Sequence, residues 1–301
     1  MKTVALRNSF HGVDVFQKDF LRLEIINGYN FLKSVIRIIF VINLFRMAKR
    51  IENLKIIGNK RLNNDFFILE LSGNDKIPDF KPGQFAQVRV EGSPETFLRR
   101  PISIHDIDYE RNTFKLLIQI VGKGTKTLSG LGIGDKLNLI YPLGNSFTVP
   151  FENDRILLVG GGCGVAPLLF LGKYLKLNGY NPDIVLGFKN RDRIIEFEEY
   201  LTIGEVFITT EDGSKGEKGY VTDHTVFSSH QYNRIYCCGP DSMMKAVALY
   251  CQKNDIACEV SLENLMACGI GACLCCVVDT VKGNLCTCVD GPVFNINDLK
   301  W

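Results

Sequence analysis

Four cysteines in the last third of the chain limit what it can fold into more than any other feature: Cys268, Cys273, Cys276 and Cys288. Their spacing is C-x4-C-x2-C, with the fourth cysteine following after eleven intervening residues. That is the plant-type pattern in which four thiolates hold a [2Fe–2S] cluster. A loop that curls around such a cluster must turn backbone N–H groups toward sulfur, which asks for glycine between the ligands. Gly269 and Gly271 supply it. Structural zinc competes for the same cysteines, but zinc sites usually pair two separated knuckles. Here three candidate ligands crowd one loop with no histidine nearby. An inert cysteine-rich core is the remaining alternative.

A chain of 301 residues can bury a sizeable core and is expected to hold two or three domains. Eleven cysteines would suit a secreted disulfide scaffold. Their odd number, their clustering at metal spacing and the dinucleotide-type sequence upstream point instead to a reducing cytoplasm. The net charge of +2 is unevenly spread: residues 1–50 carry nine Lys/Arg against three Asp/Glu, the rest 26 against 30. A body this mildly acidic gives no basis for nucleic-acid binding. Residues 31–45 are apolar but are interrupted by Lys33 and Arg37, and fall short of the roughly 20 residues that span a bilayer. No small-residue cleavage site follows, so neither a membrane span nor a signal peptide is expected; an amphipathic surface helix is the other reading. Met47-Ala48-Lys49-Arg50 opens the first well-patterned domain, so the start is expected at Met47 and residues 1–50 as an extension.

From Ile51 short apolar stretches recur with turn residues between them: 65–71, 85–90, 102–104, 114–121 and 136–140. Short strands at this spacing without intervening helices predict a small antiparallel barrel over 51–150. Arg99-Arg100-Pro101-Ile102-Ser103 puts a guanidinium and a hydroxyl at a strand end, suited to a flavin phosphate and ring edge. Gly122-Lys123-Gly124-Thr125 lets backbone N–H groups approach a pyrophosphate, and Lys81-Pro82-Gly83-Gln84-Phe85 is placed to close the barrel.

Over 151–260 the rhythm becomes strand, helix, strand. The apolar run 155–159 leads into Gly160-Gly161-Gly162-Cys163-Gly164-Val165-Ala166-Pro167 and a helix over 168–175. Glycines between a strand and a helix N-terminus form a phosphate cradle. Further strands are expected at 184–188, 205–209 and 234–238, the last ending in Cys238-Gly239-Pro240, with a final strand at 260–263. No acidic residue directly follows the second strand, and Arg191 and Arg193 are placed to accept a 2′-phosphate, so NADH and NADPH both stay open.

The order of these elements resembles the ferredoxin–NADP reductase superfamily. The superfamily's Arg-x-Tyr-Ser element falls on Arg100, Pro101, Ile102 and Ser103, with Ile102 in place of the aromatic residue. The resemblance implies that Leu117, Ile118 and Gln119 line FAD and that Gly124 and Thr125 bind its diphosphate. It further implies that Gly160, Gly161, Gly162 and Gly164 hold NAD, with Cys238, Gly239 and Pro240 beside the nicotinamide. Pro142-Leu143-Gly144-Asn145 looks like the exit from the barrel.

The stretch from Ser261 to Cys273, closing in Asp290-Gly291-Pro292-Val293-Phe294, resembles the electron-transfer subunit family of B-type dihydroorotate dehydrogenase over roughly residues 50–301. Cys275 stands where Gly is usual, and Cys286 rivals Cys288 as fourth ligand; Cys288 is chosen because it leads into the Asp-Gly-Pro-Val-Phe run. The resemblance implies a multidomain chain: FAD-binding antiparallel barrel (51–150), Rossmann-like parallel α/β NAD domain (151–260) and small [2Fe–2S] domain (261–301). It implies electron passage in de novo pyrimidine biosynthesis from the FMN of a catalytic subunit, through the cluster and FAD, to NAD⁺, in a heterotetramer of two of each subunit. No catalytic acid or base is expected. The small subunit of a ferredoxin:NADP⁺ oxidoreductase or sulfide dehydrogenase is the alternative; such relatives tend to replace one cluster cysteine by Asp. A non-catalytic iron–sulfur or zinc scaffold is a second.

Overall fold

The computed structural model describes residues 49–301, and the expectations for residues 31–45 and for Met47 lie outside them. Six strands, β1 (Arg50–Arg61), β2 (Phe66–Ser72), β3 (Phe85–Val88), β4 (Arg100–Asp108), β5 (Thr113–Gln119) and β6 (Lys136–Leu143), close a barrel in the order β1-β2-β5-β4-β3-β6. Every neighbouring pair is antiparallel. Strand β1 alternates weakly because only Leu54 and Ile56 of its twelve residues are buried. Strands β2 and β5 are apolar on both faces for a topological reason. Phe67, Leu69, Leu116 and Ile118 fill the barrel, whereas Phe66, Ile68 and Leu117 face a second core shared with the helix that follows the glycine run.

One expectation is corrected here. A short helix, α1 (Lys123–Ser129), intervenes between β5 and β6 where only a glycine-lined turn was expected. The Thr125 hydroxyl makes that turn a helix start, accepting from Val121 N at 2.9 Å and Gly122 N at 3.2 Å.

The rest of the chain runs β7 (Ile156–Gly161), α2 (Val165–Leu177), β8 (Asp183–Phe188), α3 (Phe197–Leu201), β9 (Val206–Thr210), β10 (Glu217–Lys218), α4 (Val226–Ser229), β11 (Arg234–Cys238), α5 (Asp241–Lys253), β12 (Ala257–Ser261), β13 (Val277–Thr280), β14 (Gly283–Cys286) and β15 (Val293–Asn295). Seven strands form one sheet in the order β10-β9-β8-β7-β11-β12-β15. All pairs are parallel except β12–β15. Chain order therefore reverses between β7 and β11, and ligands of such sheets bind beyond the C-terminal strand ends at that point. The strand expected at 260–263 ends at Ser261 and is not the last. Strands β13 and β14 form a hairpin, and β15 returns to the large sheet by pairing Val293 with Ser261. At three to four residues each, these strands are too short to carry a readable alternation.

Side chains tie the barrel to the sheet. His105, fully buried on β4, lies with Nδ1 2.9 Å from the Ala166 carbonyl and Nε2 3.4 Å from Glu196. Asp106 accepts from Lys115 at 3.2 Å and from Lys173 of α2 at 3.0 Å. At the barrel exit Thr148 is held by the Glu259 carboxylate, and Asn145 N donates to Gly291 O at 2.6 Å. Among the described residues no helix is long and apolar enough to cross a membrane.

Candidate functional site

A cavity of about 800 Å³ opens at the switch point, walled by the glycine run, the Cys-Gly-Pro turn, Phe66 and Gln119 of the barrel, and the ends of β8 and β9. Glycine does two different jobs there. A Cβ on Gly164 would overlap the Cys238 carbonyl, and one on Gly239 would lie 3.1 Å from Gly161 N, so the two loops pack backbone to backbone. Gly162 instead has φ +55° and would meet nothing with its Cβ, so its backbone borders open space in the cavity lining. Gly160, Gly161, Gly162, Gly164, Cys238, Gly239 and Pro240 are thus gathered around one place.

The cavity is lined by the Cys163 thiol and the Glu263 carboxyl, with the Cys238 thiol buried behind it. Burial pushes the Cys163 thiol up to about 12, and the Cys238 thiol, which donates to Ser261 O at 3.4 Å, well above its ordinary value. Glu263 is open to the cavity, yet protein crowds it on enough sides that desolvation raises its pKa. Thr209 at the end of β9 is fully buried, and its hydroxyl has no hydrogen-bond partner among the described residues. A bound dinucleotide fits such a site: open backbone at Gly162 for phosphate, and an unpaired hydroxyl in the wall. Glu263, Thr209, Glu211 and Tyr220 were not anticipated, because strands remote in sequence bring them there. Arg193 lines the cavity but pairs with Asp65 at 2.9 Å, while Arg191 is exposed outside the lining.

In the barrel, β4 pairs with β3 from Arg100↔Val88 to Ser103↔Phe85. A Cβ on Gly124 would lie 3.0 Å from Thr96 Cγ2 and 3.4 Å from Arg100 Nε, so only glycine lets the start of α1 approach the Arg100 guanidinium this closely. A guanidinium set beside a glycine-started helix turn is a chemistry that suits a diphosphate. Pro101, Ile102 and Ser103 follow Arg100 along the strand, half-buried. Leu117 and Ile118 do not share a surface: Leu117 faces the second core, whereas Ile118 is enclosed in the barrel and presents only backbone. Gln119 reaches the large cavity. The Thr125 hydroxyl is occupied with its own turn.

The cysteine loop is built on left-handed turns at Gly269 (φ +71°), Gly271 (φ +83°) and Leu274 (φ +56°). These turn amides inward: Ile270 N donates to Cys268 Sγ at 3.4 Å, Gly271 N to Cys288 Sγ at 3.2 Å, and Cys288 N to Cys276 Sγ at 3.4 Å. The Ile270 amide, aided by Cys273, draws the Cys268 thiol down to about 6, while burial pushes Cys288 up to about 12. Cys286, paired with Val277 on the hairpin, is buried and close to Cys276; its own N–H goes to Asp290 at 2.7 Å. Cys275 is exposed with Sγ turned to Leu265 O. Among the described residues no three His, Cys, Asp or Glu side chains gather as ligands of a single ion would. A [2Fe–2S] cluster divides its four thiolates between two irons, and an all-thiolate loop with inward amides fits it.

Comparison with known proteins agrees with this geometry. Residues 53–147 match the oxidoreductase FAD-binding domain, 158–249 the oxidoreductase NAD-binding domain, and 263–300 the iron–sulfur cluster binding domain of dihydroorotate dehydrogenase B. The chain is a flavin- and NAD-dependent oxidoreductase component of ferredoxin reductase-like fold with a C-terminal iron–sulfur domain. It is 40% identical to the dihydroorotate dehydrogenase B (NAD(+)) electron transfer subunit of Lysinibacillus sphaericus, over 81% of this chain and 96% of that one. The same subunit of Clostridium acetobutylicum is also 40% identical, over 81% and 95%. The chain belongs to this family of electron transfer subunits. A solved structure of an NADH-dependent reduced ferredoxin-NADP oxidoreductase matches with TM-score 0.76 and 31% identity over 83% of this chain and 90% of that one. A ferredoxin reductase of carbazole 1,9a-dioxygenase, at 19% identity and TM-score 0.61, shares the fold.

Proposed function

We propose that this chain carries electrons from the FMN of a dihydroorotate dehydrogenase catalytic subunit, by way of a [2Fe–2S] cluster and FAD, to NAD⁺ in pyrimidine biosynthesis. The observation that supports it most is the short path between the two sites: Glu263 lines the cavity, and Cys268, five positions on, opens the cysteine loop. Cys268, Cys273, Cys276 and Cys288 would hold the cluster. Cys286 is the weaker candidate, since the loop's inward amides go to Cys268, Cys276 and Cys288. Arg100 to Ser103, Leu117 to Gln119, Gly124 and Thr125 would hold FAD, the Ile118 share through backbone alone. The glycine run and Cys238-Gly239-Pro240 would hold the nicotinamide dinucleotide.

When bound, these groups convert between hydride transfer and single-electron transfer. The chain's own residues bind, orient and exclude water. Neutral Cys163 in the lining and neutral Cys238 behind it keep thiolate charge away from the cavity, and the Arg193–Asp65 pair leaves less to receive a 2′-phosphate, which favours NAD⁺ over NADP⁺. Ile270, Leu274 and Leu265 are exposed around the cysteine loop, as a surface for the catalytic subunit requires. Two of each subunit, a cytoplasmic location, and boundaries at 50/51, 150/151 and 260/261 belong to the same reading.

The test is reconstitution. The chain purified anaerobically should carry FAD, iron and sulfide and pass electrons from NADH to an artificial acceptor, yet leave dihydroorotate untouched. Adding the FMN-bearing subunit should create dihydroorotate:NAD⁺ activity, which removal of the cluster abolishes while direct NADH oxidation survives. Orotate formation by this chain alone would overturn the subunit reading. The 31% identity to the ferredoxin-NADP oxidoreductase structure favours a second reading, as the small subunit of such an enzyme. NADPH-linked ferredoxin reduction with a different partner, and no gain with the FMN subunit, would select it.

A further inference from the structure

Gln87 stands on β3 two residues beyond Phe85. Side chains two apart on a strand share a face. Ala86 and Val88 belong to the barrel core, so Phe85 and Gln87 point out of it, and Phe85 packs with Met266, Cys276 and Cys288. A Cβ on Gly269 would lie 2.6 Å from Gln87 Cγ and 3.1 Å from its Nε2: the cysteine loop crosses directly over this side chain. Gln87 is fully buried, and neither Nε2 nor Oε1 has a hydrogen-bond partner among the described residues. Leaving a buried amide unpaired costs the desolvation of its polar atoms, a cost that methionine of similar bulk would not incur. Of the two unpaired atoms, it is Nε2, the donor, that lies 3.1 Å from the Cβ position of Gly269, next to Cys268, and thiolate or sulfide sulfur would supply the acceptor it lacks.

We propose that the Gln87 Nε2–H group donates a hydrogen bond to sulfur of the cluster held by the Cys268 loop. A side chain of the flavin barrel then acts as a positioning residue for the cluster and sets its reduction potential. The donor favours the reduced cluster, which carries the extra negative charge, and so raises the potential. This inference rests on the cluster reading.

The test uses the full chain with its cofactors and the variants Gln87→Met and Gln87→Glu, read by redox titration of the cluster's spectrum. Gln87→Met keeps the bulk and loses the donor. It should lower the reduced-to-oxidised ratio at a fixed potential about tenfold, a midpoint about 59 mV more negative. Gln87→Glu adds a negative charge and should move it at least as far. Pulsed electron paramagnetic resonance of the reduced wild-type chain carrying side-chain ¹⁵N-glutamine should show coupling to the cluster; Gln84 does not compete, being committed to Gly144 O at 3.2 Å. Absence of ¹⁵N coupling, or a midpoint unchanged in an iron-replete Gln87→Met chain, overturns the inference. A wild-type chain free of iron and sulfide overturns instead the cluster reading beneath it.

Discussion

The cysteine loop and the switch-point cavity are neighbours in the fold but are assembled in opposite ways. Three of the four cysteines lie within nine residues, and backbone amides of the same segment turn toward the sulfurs. The cavity draws its walls from β2, β5, β7, β8 and β9 and from the segments that follow β11 and β12, so no stretch of chain contains it. Glycine marks the contrast. In the cysteine loop it supplies positive φ; in the glycine run Gly164 is there because another backbone occupies the place of its Cβ.

Ligand substitution breaks the comparison hardest, because a local loop loses everything with one thiolate. Cys268→Ser, Cys273→Ser, Cys276→Ser and Cys288→Ser should each lose or alter the cluster, and Cys275→Ser and Cys286→Ser should keep it, by iron, sulfide and visible spectrum. A normal Cys288→Ser together with an iron-poor Cys286→Ser would exchange the fourth ligand. Flavin content should stay near wild type throughout, since the barrel does not depend on the loop's thiolates.

The next effect separates the two uses of glycine within the cavity wall. Gly164→Ala forces a methyl into the Cys238 carbonyl and should cost about 3 kcal/mol or more of stability. Gly162→Ala has space but keeps a left-handed backbone, a cost of roughly 1–2 kcal/mol. Denaturant midpoints should rank them so. Equal losses would mean that the Gly164 loop relaxes away from β11.

Legibility followed the same division. The cysteine spacing, the glycine run after a strand and the Cys-Gly-Pro element were readable because each is contiguous. Gln87, Thr209 and Glu263 were not: each is ordinary in its own segment and acquires meaning only from what the topology places opposite it. Helix α1 was missed because Thr125 caps a turn through contacts that glycine-rich sequence conceals. The hairpin and β15 were missed because strands so short are fixed by their partners.

Thr209 sharpens the point with a smaller effect. Thr209→Val removes an unpaired buried hydroxyl at nearly constant shape, so the nucleotide-free chain should be as stable as wild type or slightly more so. NADH should nonetheless bind roughly fivefold more weakly, the equivalent of about 1 kcal/mol for one hydrogen bond. Unchanged affinity by titration would remove Thr209 from the nucleotide site.

The smallest effect probes the joint that lets a barrel and a sheet share one cavity. Burial of Asp106 raises its pKa, but Lys173 and Lys115 outweigh this and leave it below the ordinary 3.8. A carboxylate whose folded pKa is depressed contributes stability that is present above the unfolded pKa and lost as pH falls through the folded one. Glu196, held below 4.5 by His105 despite burial, adds to the same limb. The wild-type chain should therefore lose stability progressively below about pH 4.5. Asp106→Asn should be less stable near neutrality and lose less on acidification, because Asn has no carboxylate for acid to neutralise beside the lysines. Cys268→Ser, altered at the local site alone, should keep the wild-type acid slope. If Asp106→Asn keeps that slope too, the ion pairs between β4 and α2 do not hold barrel to sheet, and the joint rests on packing of Phe66, Ile68 and Leu117 against the helix and on the His105 contacts.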